Sequence, residues 1–235
     1  MEINKFTTKE EASAGAGEVL NKLLEDNKDI PVLLLLASGS ALSILDFVNG
    51  KAMGENLTIT MLDERFSKDP TANNFLQLQK LDFFNLALSN NANFIGTLPR
   101  PTENMDDMRT RLELGLKNWI SKNQTGKIFA TIGMGADGHT AGIFPNKDAN
   151  FFETAFDSSH IITAYKAECS HKFPERVTAT LSLFKKIDQA IVYICGEDKK
   201  IKLTELIAGK EQANNLPAVG IFQTKHFQIF TDILI

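Results

Sequence analysis

The chain predicts an α/β fold, a mostly parallel sheet flanked by helices. Three observations carry that expectation. Pro31 opens VLLLLA, an apolar run without alternation and of strand length, which suits a strand covered on both faces. Ser38-Gly39-Ser40 then turns the chain into a helical stretch, so strand, small-residue turn and helix follow one another within the first fifty residues. Strand-like and helix-like segments keep alternating, and the polar segments follow the strands, at the carboxyl edge where open α/β sheets bind ligands.

Each element has its own reason. Residues 8–26 place Ala12, Ala16, Val19, Leu20, Leu23 and Leu24 on one helical face. Val32 to Ala37 is the first strand, and ALSILDFVNG is a short helix closed near Gly50. Leu57 to Leu62 reads as a strand, DERFSKDPTANN as a polar connection and 72–88 as a helix. Phe94-Ile95 fits a short strand. A helix is expected from Thr102, its cap, to Ile120. Ile128 to Ile132 is a strand running into GMGADGH, and Ile161 to Tyr165 is extended. Val177 to Phe184 reads as a short helix, Ala190 to Cys195 as a strand, Asp198 to Ile207 as a helix and Val219 to Phe222 as the last core strand. No linker, repeat or low-complexity tract intervenes, so residues 1–235 read as a single domain.

Composition narrows the function classes. With 25 Lys and Arg against 29 Asp and Glu, the net charge is −4, which leaves no basic excess to neutralise a nucleic-acid backbone. One compact anion site needs only a few donors and stays open. The first residues lack an apolar signal region, and Val32–Ala37 is too short to cross a bilayer, so no membrane partner is expected and the cytoplasm is the expected compartment. Cys169 and Cys195 show no metal-ligand rhythm and read as free thiols. The 17 phenylalanines carry no polar handle and serve mainly to fill the core.

Three segments have residues suited to chemistry. Ser38, Gly39 and Ser40 form either an ordinary strand-to-helix turn or a nest of N–H groups and hydroxyls for a phosphate or carboxylate. The turn has neither the P-loop lysine nor GxGxxG. Asp63-Glu64-Arg65 is either a solvated turn or a site in which Arg65 grips an anion bidentately, with Asp63 or Glu64 orienting a partner or handling a proton. Asn73 and Asn74 downstream are helix caps or donors to a sugar hydroxyl. The sharpest segment is Gly133-Met134-Gly135-Ala136-Asp137-Gly138-His139-Thr140, in which a histidine stands two positions from a carboxylate in a glycine-bent loop. Imidazole titrates near neutrality and suits general-base work. His160, His171 and His226 have less favourable settings, and no HExxH or His/Cys cluster points to a metal. Arg176 and Lys199 either approach an anionic ligand or are surface charges. Arg100, Arg109 and Arg111 read as ordinary surface residues.

These motifs resemble those of the 6-phosphogluconolactonase family, part of a wider group that includes glucosamine-6-phosphate deaminases. GMGADGHTAGIFP (133–145) is the strongest match. LLASGSA (35–41), LDER (62–65) with Asn74, PERVTATL (174–181), CGEDKK (195–200) and Leu216-Pro217-Ala218 support it in family order, almost end to end. HTAGIFP favours the lactonase branch, because the deaminases usually carry a further acidic residue after the histidine.

The resemblance implies a modified Rossmann-like, doubly wound fold and hydrolysis of 6-phospho-D-glucono-1,5-lactone to 6-phosphogluconate, a carboxylic ester hydrolysis of the oxidative pentose phosphate pathway. It places the base at His139 with Asp137 beside it. Substrate contacts fall on Ser38, Gly39, Ser40, Asp63, Arg65, Asn74, Arg176 and Lys199, with no metal or organic cofactor. The expected partner is a sugar phosphate lactone, and the chain is expected to act as a monomer or homodimer. A deaminase-like enzyme and a non-catalytic sugar-phosphate-binding regulator are the alternatives. One departure stands out: Ser40 replaces a family glycine, and the Ser-Thr-Pro that usually follows is absent.

Overall fold

The computed structural model describes residues 1–168 and 172–235, so Cys169 and His171 lie outside the described residues. Strand β1 (Glu2–Lys5) precedes helix α1 (Lys9–Asp26). Thr8 caps that helix in a reciprocal box with Glu11, and Ala12, Ala16, Leu20 and Leu24 form its buried face. Strand β2 (Val32–Leu36) is buried at all five positions, as its unalternated sequence requires. The short helix that follows is a 3-10 helix (Gly39–Phe47).

Strand β3 (Leu57–Met61) runs directly into β4 (Asp63–Arg65), a strand inside the supposed polar connection. The expected helix over 72–88 is two, α2 (Asn74–Leu78) and α3 (Asp82–Ser89); Asn73 caps the first by accepting from Leu76 N–H. Strand β5 (Asn93–Phe94) leads to α4 (Met105–Lys122), which is capped by Asn104 in a box with Asp107 rather than by Thr102. Then come β6 (Lys127–Gly133), α5 (Ala149–Phe156) and β7 (Ile162–Lys166).

The segment 177–184 departs most from expectation. It is strand β8 (Glu175–Ala179) and only then a single turn, α6 (Leu181–Phe184). β-Branched Val177 and Thr178 disfavour helix, and pairing with both β4 and β7 settles their state. Strand β9 (Gln189–Tyr193) and helix α7 (Lys200–Ala208) follow expectation closely. Val219–Phe222 belongs to a 3-10 helix (Pro217–Gln223), and the last strand is β10 (Phe227–Thr231). A short buried apolar run does not reveal by periodicity which of the two it will be.

The main sheet has seven strands in the order β1-β10-β9-β6-β2-β3-β5, and every neighbouring pair is parallel. From β2 the chain winds outward through β3 and β5, then returns to the other side through β6, β9 and β10. The sheet is therefore doubly wound, and its switch point lies between β2 and β6, where the loops leaving the strand ends part and open a crevice. A second, antiparallel sheet, β4-β8-β7, stands beside that carboxyl edge.

Candidate active site

Four strand ends converge at the crevice. β2 delivers Ser38–Ser40, β3 continues into Asp63 and Arg65, β6 delivers the 133–140 loop, and β9 leads through Gly196 to Lys199. Ser38, Gly39, Ser40, Asp63, Arg65, Gly135, His139, Ala141 and Lys199 line one cavity of about 200 Å3. Larger cavities exist, of about 570 and 690 Å3, but the first meets the glycine loop only at Asp137 and the second not at all.

The loop after β6 is built around a His–Asp pair. Asp137 Oδ1 lies 2.6 Å from His139 Nδ1 and also accepts the His139 backbone N–H at 3.1 Å. Gly138 has φ +86°, a left-handed turn that brings His139 back towards the carboxylate, and its N–H closes the turn onto Gly135 O. Burial works against the Asp137 carboxylate, yet the hydrogen bond and charge of His139, with the backbone N–H, outweigh it and bring the pKa down to about 2. Because the carboxylate engages Nδ1, Nε2 is the nitrogen left to take a proton, and it has no partner among the described residues. The imidazole also packs at 4.7 Å on the Phe144 ring.

The cavity also has a basic lining. Arg65 donates from one terminal nitrogen to Ala72 O at 3.0 Å, while its buried Nε has no partner among the described residues. Lys199 Nζ reaches Ser40 Oγ at 3.4 Å and forms no ion pair among the described residues; burial pushes its ammonium pKa down, against the pull of Asp198. Ser38 precedes the 3-10 helix without spending its hydroxyl on a cap, and Gly39 turns the backbone at φ +66°. Ser43 ties the segment down by donating to Ser40 O at 2.8 Å.

Asn74 and Arg176 stand behind this wall rather than in it. Asn74 Nδ2 donates to Asp63 O at 2.9 Å and to its carboxylate at 3.3 Å. Arg176, opposite Arg65 in the β4·β8 register, is 3.7 Å from Asp63 Oδ2 and donates from Nε to Phe173 O. Burial pushes its guanidinium pKa down and Asp63 opposes that. Asp63 is the shared partner that both residues hold at the cavity edge.

Glu64 is the residue whose role sequence reasoning left open. Successive strand residues face opposite ways, so Asp63 and Arg65 look into the cavity while Glu64 looks into the protein. Fully buried, it accepts from Arg65 N, Asn74 N, Phe75 N and Thr97 Oγ1 at 2.6–2.9 Å. Burial nevertheless raises its pKa to about 7. The period-2 alternation of DER was the available signal. Arg111 forms a local ion pair with Glu103 and also donates to Gly96 O, next to Thr97. Among the described residues no three His, Cys, Asp or Glu side chains gather as a metal site, and no helix is long and apolar enough to cross a membrane.

Fold and cavity define a doubly wound α/β protein with a His–Asp pair and a basic lining at the switch point. The family model described as glucosamine-6-phosphate isomerases/6-phosphogluconolactonase matches residues 10–231, and the chain belongs to that family. A 6-phosphogluconolactonase of Neisseria meningitidis is 27% identical over 191 residues, covering 80% of this chain and 78% of that protein. In the fold, the 6-phosphogluconolactonases of Trypanosoma brucei and Shewanella baltica superpose with TM-scores of 0.75 and 0.74. Their identities are 17% and 19%, over 98% of this chain and 95% and 97% of theirs.

Proposed function

We propose that this protein is a cytoplasmic 6-phosphogluconolactonase, hydrolysing 6-phospho-D-glucono-1,5-lactone to 6-phospho-D-gluconate in the oxidative pentose phosphate pathway. The observation that carries the reading is the single cavity shared by His139 and the Ser38–Ser40, Arg65 and Lys199 wall. The names of the relatives and the HTAGIFP continuation support the same branch.

His139 Nε2 takes a proton from water as its oxygen attacks the lactone C1. The carbonyl electron pair moves onto oxygen, giving a tetrahedral oxyanion. When that collapses, the C1–O bond to the ring oxygen breaks and the imidazolium returns the proton to the leaving oxygen. Asp137 orients the ring and supports its charged form. Ser38, Gly39, Ser40, Arg65 and Lys199 hold the 6-phosphate, so that C1 is delivered to the base. Asp63, held by Asn74 and Arg176, faces the sugar hydroxyls. No covalent nucleophile is required for an activated ester.

The test is the rate of lactone loss above spontaneous hydrolysis, for the phosphorylated and unphosphorylated lactones, in wild type and His139→Ala. The expected result is turnover of the phosphorylated lactone that falls by about 10²–10⁴-fold in the folded variant. Wild-type rates in His139→Ala would remove the base assignment. Ammonia release from glucosamine 6-phosphate would move the reading to the deaminase branch.

A further inference from the structure

The mechanism needs a donor for the oxyanion, and the wall of the cavity offers one. Along the loop after β6, six backbone N–H groups near His139 are already used. Gly135 N donates to His139 O, Gly138 N to Gly135 O, and His139 N to Asp137. Thr140 N and Ile143 N exchange bonds with each other's carbonyls, and Gly142 N donates to Thr178 Oγ1 at 3.0 Å. Ala141, which lines the cavity two residues beyond the base, is different: its N–H has no acceptor among the described residues.

Ala141 is also held in an unusual state. Its φ is +48°, a left-handed conformation that costs an alanine energy and persists only where the surroundings impose it. Those surroundings are specific. The Thr140–Ile143 bridge brackets it, Thr140 Oγ1 donates to Gly133 O at 2.8 Å, and Tyr165 OH donates to Gly142 O at 2.6 Å. Three anchors thus fix a peptide whose donor is unspent, two residues from the base and in the cavity that receives C1.

We infer that the Ala141 N–H is the oxyanion donor, hydrogen-bonding the C1 oxygen as it gains negative charge. The inference rests on the proposed hydrolysis. The first-turn N–H groups after Ser38 belong to the segment to which the proposed function assigns the 6-phosphate. Met134 N–H, also unbonded in the cavity wall, belongs to a buried residue at the end of β6, five positions before the base. A donor fixed in advance and aimed where charge develops accelerates the step without strengthening ground-state binding.

The experiment replaces the Thr140–Ala141 amide by an ester, with lactic acid in place of alanine; the methyl group stays and the N–H goes. The expected result is a fall in kcat of about 10²–10³-fold, with KM and 6-phosphogluconate affinity changed less than about threefold. If the ester chain does not fold, the wild-type protein with 15N-alanine and 15N-methionine decides the matter. Saturating 6-phosphogluconate, whose C1 carboxylate occupies the reacting position, is expected to move the Ala141 amide proton downfield. An active wild type with an undiminished ester variant overturns this inference alone, as does a shift at Met134 with Ala141 unmoved. A wild type that does not turn over the phosphorylated lactone overturns the proposed function and this inference together.

Discussion

Gly135 lies directly beneath the imidazole of His139, so close that a Cβ on the glycine would overlap Nδ1 and Cε1 of the ring and come within 2.7 Å of Asp137 Oδ1. Its N–H donates to His139 O at 2.9 Å, so backbone and ring are fixed by one residue. Gly135→Ala is therefore expected to push the pair apart while leaving the sheet intact. A shift of about 1 Å at a reacting group costs on the order of 10²-fold in rate. Lactone turnover and circular dichroism on one sample check this; native spectra with wild-type turnover would show that the ring tolerates displacement.

Asp137 makes a second, pH-dependent prediction. Its folded pKa is about 2 against an unfolded 3.8, so its contribution to stability is fully present above 3.8 and is lost as pH falls through 2. The carboxylate is nearly half exposed, so solvent screens the effect and it is modest. Thermal melts from pH 5 to pH 2 should show a shallower acid decline in Asp137→Asn than in wild type. Turnover in that variant should drop on the order of 10²-fold, because an amide neither orients nor balances the imidazolium as a carboxylate does. Identical acid declines would mean that the pair does not form in solution.

The parts legible in the sequence are those fixed locally. VLLLLA suits a strand buried on both sides and forms one over Val32–Leu36, and the glycine-rich GADGH loop bends at Gly138, which takes a left-handed φ. Where long-range pairing decides, local reading failed. Val177–Ala179 became a strand because β4 and β7 flank it, and the short β4 is stabilised by that same pairing. Of the ten site residues expected from sequence, Ser38, Gly39, Ser40, Asp63, Arg65, His139 and Lys199 line the cavity, and Asp137 holds the histidine. Asn74 and Arg176 share those motifs yet point at Asp63, a distinction that motif spacing does not carry. Glu64 was visible only as one charge among three, since its four donors come from three separate segments.

Arg65→Ala tests the proposed phosphate recognition apart from the proposed chemistry. Arg65 lines the same cavity as His139, so Arg65→Ala is expected to raise KM for the phosphorylated lactone by about tenfold to a hundredfold, the range of a charge-assisted hydrogen bond to an anion. The unphosphorylated lactone, hydrolysed slowly, should be nearly unaffected. Steady-state kinetics on both substrates check it. Equal losses on the two would place Arg65 outside phosphate recognition and leave it a purely structural contact with Ala72.

Glu64 holds Arg65 in place through the backbone. Its carboxylate joins the Arg65 N–H to the first turn of α2 and to Thr97. Thr97→Val removes one of these donors and should cost about 1–2 kcal/mol of stability with activity largely kept. Glu64→Gln keeps the shape of the protonated carboxyl without the ability to ionise, so it isolates the pH dependence of this group. The pH sign is opposite to that of Asp137. A folded pKa of about 7 against 4.5 unfolded means that the folded state holds this proton more tightly. Stability from this group is therefore greatest below 4.5, declines as pH rises towards 7 and is level beyond it. Denaturant melts of wild type and Glu64→Gln at pH 4.5, 6 and 7.5 should show the gap, wild type minus variant, falling as pH rises. A gap that widened with pH would mean that the four donors keep Glu64 ionised throughout, with its pKa below the ordinary carboxylate value.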